Sequence, residues 1–162
     1  MGVTGTEDIT LRGYRADDLD AMYALDIVCF EEPFRFTRRT MRRFAEAENA
    51  HVVIAEAEGV LAGFCIVDVE RVGGAQMGYV VTLDVAVAHR RRGVARTLMV
   101  EAERQAAVAG CSAMVLHVHT GNAAAMGFYA GEGFVQTGMA RAFYGAGVDA
   151  EVWRKELLAS SS

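Results

Sequence analysis

The chain has 162 residues, 16 lysines and arginines against 21 aspartates and glutamates, a net charge of −5, 52% hydrophobic residues and one proline, Pro33. Such a composition excludes a disordered, collagen-like or linker-rich chain, and the length suits one domain, a chain of this size burying about 68–70% of its unfolded surface. No apolar run reaches the roughly 18 residues of a membrane helix, because Thr82 and Asp84 interrupt the best stretch, Tyr79 to Ala88, and the acidic total argues against a general nucleic-acid binder.

Ile9 to Arg15 alternates like a short strand, after which Asp17 or Asp18 can cap a helix whose apolar face carries Leu19, Met22, Leu25 and Val28. A loop over Cys29 to Phe36 leads to Thr37, which can cap a second helix with Met41, Phe44 and several arginines. His51 to Ala57, a Glu58-Gly59 turn, Val60 to Val72, a Gly73-Gly74 turn and Met77 to Val87 read as a three-stranded antiparallel meander. The period turns helical from Arg92 to Ala109, with Ala95, Leu98, Met99, Ala102 and Ala106 on one face and Gly110 as the stop. Ala113 to His119 is a strand, Ala123 to Ala130 a short helix, and Phe134 to Phe143 with Asp149 to Leu157 a closing hairpin. The order βααβββαβαββ describes one mixed α/β domain over 1–162, its core spanning about 6–158 and its tail frayed from Ala159 to Ser162.

Three cysteines, Cys29, Cys65 and Cys111, have neither metal-like nor redox spacing, and no basic start followed by an apolar stretch suggests a secretory signal. A reducing, cytoplasmic setting is expected. Gly2 with Thr6 fits the loose myristoylation pattern, but no second membrane signal accompanies it.

The most informative segment runs from Val81 to Met99, where a buried strand enters a helix through the basic turn Arg90-Arg91-Arg92-Gly93-Val94-Ala95. Free N–H groups and the positive end of the helix dipole converge at such a turn, and the small Gly93 and Ala95 keep an anion's approach open. Three arginines at one turn of an acidic protein make a small phosphate site rather than a groove-length stripe for DNA. Downstream, Leu116-His117-Val118 leads through Asn122 to Tyr129 and Gly133-Phe134.

Together these segments resemble the GCN5-related N-acetyltransferases, over about residues 6–158, and the likeness is nearest to protein N-terminal acetyltransferases of the ribosomal-protein type. Leu116-His117-Val118, Cys29 to Phe34 and Phe143-Tyr144 carry that finer likeness. Val87 departs from a common proline, and Ala95 from a common glycine. The resemblance implies a mostly antiparallel sheet with splayed middle strands and flanking helices.

By the same resemblance, Arg90, Arg91, Arg92, Gly93, Val94 and Ala95 hold the pyrophosphate of acetyl-CoA. The backbones of Leu83, Val85 and Val87 meet pantetheine, and an N–H of this stretch polarises the thioester carbonyl. Asn122 contacts the pantetheine arm, caps the following helix, or does both. Tyr129 protonates the departing thiolate, unless it only packs with Phe128 and Phe134. His117 and Tyr79 match a pair that takes the amine's proton through water; a strand histidine and a pleat aromatic are the plainer roles, and His119 is a second candidate base. Phe30, Glu31 (or Glu32), Pro33, Phe34 and Tyr144 line an acceptor groove or simply pack their loops. Cys111 has no base beside it in sequence for covalent catalysis.

The expected activity is direct acetyl transfer from acetyl-CoA to the α-amino group of a protein or peptide, with no metal, nucleic-acid or membrane partner. A ribosome or partner subunit enters by family analogy alone. A small amine or lysine acceptor, and a non-catalytic acyl-CoA-binding module, are the alternatives.

Overall fold

In the computed structural model, which describes residues 8–157, the alternating and helical stretches become β1 (Ile9–Gly13), α1 (Leu19–Cys29), α2 (Arg38–Ala45), β2 (Ala50–Ala57), β3 (Val60–Val72), β4 (Ala75–Val85), α3 (Val94–Val108), β5 (Cys111–His119), α4 (Ala123–Gly131), β6 (Val135–Ala140) and β7 (Ala150–Glu156). Single 3-10 turns occupy Ala16–Asp18 and Val87–His89. The order is the one read from the sequence. The Gly2 and Thr6 pattern and the tail from Ala159 lie outside the described residues.

Among the described residues, seven strands form one sheet in the order β1-β2-β3-β4-β5-β7-β6. Only the β4–β5 neighbours are parallel, and α3 supplies the crossover that a parallel pair requires. Strands β2 and β3 are buried on both faces. Val53, Ala55, Cys65 and Val67 pack towards Leu98, Met99, Ala102 and Ala106 of α3, whereas Val52, Ile54, Phe64 and Ile66 pack towards Leu19 and Met22 of α1 and Met41 of α2. That two-sided burial explains why both strands read as nearly continuous apolar runs.

Two expectations for α1 are corrected. Asp18 does not cap α1 with its side chain. Its carboxylate accepts from both terminal nitrogens of Arg12, at 2.8 and 2.7 Å, and from the Arg15 amide at 2.7 Å. This bidentate pair offers stronger donors than a helix N–H, and the guanidinium holds the Asp18 carboxyl below its ordinary range. The buried stripe of α1 is also turned: Val28 is 65% exposed, and Leu19, Met22 and Asp26 are buried. Thr37 does cap α2, accepting from the Thr40 amide at 3.1 Å.

Strand β4 carries a bulge. Ile66 pairs with Thr82 and Val67 with Val80, so Val81 is the extra residue. Val80 packs with the α3 cluster and Val81 with the α1–α2 cluster. The strand ends at Val85, where the Ala86 amide still donates to the Ala62 carbonyl at 2.8 Å. Val87, expected on the strand, lies beyond it in the 3-10 turn and is 61% exposed.

Candidate active site

Strands β4 and β5 pair only from Gln76–Cys111 to Tyr79–Val115. Beyond that point β4 stays with β3 as far as Val85, and β5 stays with β7 as far as His119. The two strands therefore splay, and the facing edges of Val80 to Val85 and Leu116 to His119 present backbone groups that the sheet does not use. Leu83 and Val85 lie on this open edge. The N-termini of α3 and α4 sit at the same end of the parallel pair, where ligands of α/β sheets characteristically bind.

The basic turn has the geometry of an anion cradle. Arg91 and Gly93 both have positive φ, +62° and +79°, which turns successive N–H groups towards one side. Gly93 is the N-cap of α3 and provides no capping side chain. A Cβ built on it would meet nothing within 4 Å, so open space lies in front of the helix dipole. Val94, buried, anchors the first turn, while Ala95 is small and half-buried. The three arginines divide their work. Arg90 folds back, donating from Nε to the Val85 carbonyl at 3.2 Å and from Nη2 to Cys29 Sγ at 3.5 Å; Arg91 and Arg92 stand exposed at the turn. Uncapped amides, a left-handed glycine and exposed cations together suit a diphosphate.

Tyr79 and His117 meet across the start of the splay, with Tyr79 Oη 2.8 Å from His117 Nδ1. Burial pushes the Tyr79 phenol up and the His117 imidazole down, so both are held neutral. Two proton arrangements satisfy the contact. Only the one in which Nδ1–H donates to Oη leaves the Nε2 lone pair free to accept a proton. His119, on the same face of β5, donates Nδ1–H to the Asp149 carbonyl at 3.4 Å. Its Nε2 is turned to the β5–α4 turn, 2.8 Å from where a Cβ of Gly121 would lie.

Aromatic rings enclose this pair. Phe143 stacks on the His117 imidazole at 3.9 Å and 7°. Tyr144 Oη donates to the His117 carbonyl at 3.4 Å, and Phe34 packs on His119 at 4.5 Å and on Tyr144 at 4.8 Å. The α1–α2 loop is held by the Phe34 amide donating to the Glu31 carbonyl at 2.7 Å and by Arg35 Nε donating to the Phe30 carbonyl at 3.0 Å. Phe34 and Tyr144 thus come together with the histidines. Phe30 is half-buried at the end of α1, and Glu31, Glu32 and Pro33 are exposed on the loop.

On the far side of the splay, Asn122 caps α4, its Oδ1 accepting from the Ala125 amide at 3.1 Å. Tyr129 lies edge-on between Phe128 and Phe134, 5.2 and 5.5 Å from their centroids. Burial pushes its phenol up, so Tyr129 stays protonated and holds a hydrogen that it can offer to a negative charge developing beside it. Cys111 is buried at the start of β5 with its thiol pushed up by burial, opposite to what a nucleophile needs. Among the described residues, no group of three or more His, Cys, Asp or Glu side chains could hold a metal ion.

The sequence reading missed three features: the Phe143 stack, the Arg90–Cys29–Val85 contact and a buried carboxyl pair, Asp26 with Asp84. Asp26 follows Met22 by four residues and so shares its stripe, a signal that helical spacing contains.

The family model described as acetyltransferase (GNAT) family matches residues 19–134. No curated protein matches the chain by sequence. Among solved structures, the ribosomal-protein-S18-alanine N-acetyltransferase of Escherichia coli is 21% identical, with a TM-score of 0.79 over 95% of this chain and 97% of that one. Arabidopsis thaliana Naa50 in complex with the bisubstrate analogue CoA-Ac-MVNAL is 25% identical, with a TM-score of 0.77 over 91% of this chain and 98% of that one. Nourseothricin acetyltransferase is 23% identical, with a TM-score of 0.75 over 93% and 99%.

Proposed function

The chain belongs to the GNAT family and is an acetyl-CoA-dependent N-acetyltransferase, and from that premise we propose that its acceptor is the α-amino group of a protein or peptide. The observation that carries this reading is the Tyr79–His117 contact at 2.8 Å, set against the ring wall of Phe34, Phe143 and Tyr144. An α-amine has an ordinary pKa of about 7.7–8.0 and a lysine of about 10.4, so a neutral imidazole near pH 7 is far better matched to the first.

When bound, acetyl-CoA supplies an electrophilic thioester carbon and a thiolate leaving group. The residues of this chain do the rest. The α3 cradle, Arg90 to Ala95, takes the diphosphate, and the open backbone at Leu83 and Val85 takes the arm, with an N–H there polarising the carbonyl. Val87, past the strand end, contributes from the turn, and Asn122 combines its cap with a contact to the arm. The acceptor enters along Phe30, Glu31, Pro33, Phe34 and Tyr144. His117 Nε2 receives the ammonium proton, through water where needed, with Tyr79 fixing the imidazole. The neutral amine then attacks, a C–N bond forms as the C–S bond breaks, Tyr129 gives its proton to sulfur, and the second proton shed by the nitrogen passes through water to restore the Tyr129 phenol.

Structures of N-terminal acetyltransferases among the similar folds support this acceptor class. The three free cysteines support a cytoplasmic setting, and a ribosome or partner subunit would present the acceptor. Incubation with acetyl-CoA, a library of peptides with free or blocked N-termini and a set of small amines, followed by mass spectrometry, tests the reading. Acetyl groups on free N-termini are expected. Exclusive modification of small amines would replace the acceptor, and CoA binding without any product would point to a binding module.

A further inference from the structure

Two of the most deeply buried ionisable side chains have no role in that chemistry. Asp26 on α1 and Asp84 on β4 are 0% and 1% exposed. Asp26 Oδ2 accepts from the Phe36 amide at 2.7 Å, and Asp84 Oδ1 accepts from the Thr82 hydroxyl at 2.5 Å. The remaining oxygens, Asp26 Oδ1 and Asp84 Oδ2, are buried without a donor, while the two carboxyl groups contact each other. Among the described residues no salt bridge reaches either one. Two ionised carboxylates held this way repel and leave two acceptors unsatisfied; one proton between them converts the orphans into a donor and an acceptor.

The pair also joins two parts of the site. Through the Phe36 amide, Asp26 holds the end of the loop that carries Phe30, Pro33 and Phe34. Asp84 lies between Leu83 and Val85 on the open edge of β4. We propose that Asp26 and Asp84 share a single proton and act as a positioning pair that locks the acceptor loop, residues 30–36, onto the donor-binding strand. This rests on the reading above that the loop walls the acceptor groove.

Charged or titratable groups reach Asp84 from each neighbouring element: Arg90 from the turn after β4, Cys29 from α1, Cys65 from β3 and Tyr129 from α4. Burial raises the thiols and the phenol, so these stay neutral at moderate pH and Arg90 is the one cation among them. Burial, followed by contact with Asp26, also raises Asp84 well above the ordinary carboxylate range. The folded protein therefore binds more protons than the unfolded chain from that range up to the raised Asp84 value, and stability falls as pH rises across that window.

Asparagine at either position reproduces the singly protonated pair. In Asp84→Asn, the amide oxygen still accepts from Thr82 and the amide nitrogen donates to Asp26, with the same total charge. Asp26→Asn does the same in reverse. The double variant sets two amide donors against each other. Hydrogen exchange of residues 30–36 and unfolding free energy, followed against pH in the full chain, test this. Each single Asn variant should keep the loop protected and gain stability on wild type as pH rises, while the double variant loses protection by far more than the singles together. Asp26→Ala should raise the acceptor KM by about tenfold or more with little change in acetyl-CoA affinity, and Asp26→Asn should restore it.

Additive losses in the two single variants, or a stability difference that does not move with pH, would overturn the shared proton. Loop exchange needs no acceptor, so failure of peptides as substrates with the exchange pattern intact would remove the acceptor assignment and leave the pair standing.

Discussion

Replacing Gly93 by valine separates what the cradle does for folding from what it does for binding. Gly93 has φ +79°, and a Cβ there meets no atom within 4 Å, so the cost in the free protein is the left-handed backbone alone, roughly 1–2 kcal/mol. At about 2–4 °C per kcal/mol for a chain of this size, Tm should fall by about 2–8 °C. The same Cβ projects into the space where a phosphate would contact the α3 amides, so CoA binding should suffer far more. Wild type with CoA at about 100 times its Kd gains about 2.7 kcal/mol, or about 5–11 °C. A hundredfold weakening leaves about 0.4 kcal/mol, about 1 °C. Gly93→Asn serves as control, since asparagine tolerates positive φ yet still fills the cradle. Differential scanning fluorimetry of the three proteins with and without CoA reads both effects. A folded Gly93→Val protein with the full wild-type gain would refute the placement of the diphosphate.

Tyr129→Phe should lower turnover by about a hundredfold or more with little change in acetyl-CoA affinity, measured by steady-state kinetics beside calorimetry; a loss of stability alone would make Tyr129 a core residue. Burial lowers the His117 pKa, so the folded state binds fewer protons there than the unfolded chain, and stability falls as pH drops below about 6.5. His117→Gln should flatten that part of a urea-midpoint profile. Gly63→Ala should cost about 1–3 kcal/mol in urea unfolding, since its Cβ would lie 2.7 Å from the Asp84 carbonyl oxygen and 3.1 Å from Leu98.

The sequence carried the element order because each element satisfies a local rule: Thr37 caps, Gly110 stops a helix, and Glu58-Gly59 and Gly73-Gly74 turn hairpins at positive φ. Three-dimensional pairing hid the rest. Asp18 looks like a helix cap until Arg12, six residues earlier, claims it. The buried face of α1 includes Asp26, whose neighbour Asp84 lies fifty-eight residues away and is invisible to helical averaging over leucines and valines. Of the cradle, the residue types were legible, while the folding back of Arg90 onto Val85 depends on where β4 ends. The same strand end moves Val87 out of the sheet. Tyr79 and His117 were paired by resemblance; their contact follows from the Tyr79–Val115 register, which sets them two residues apart across the opening.

The most direct measurement gives the enzyme acetyl-CoA and one peptide with both a free α-amine and an internal lysine, and maps the acetyl group by fragmentation mass spectrometry across a pH series, in wild type, His117→Ala, Tyr79→Phe and the double variant. The expected result is acetylation of the α-amine, at a rate that falls and changes its rise with pH in each variant. Preferential acetylation of the lysine, or wild-type rates and an unchanged profile in all three variants, would contradict it.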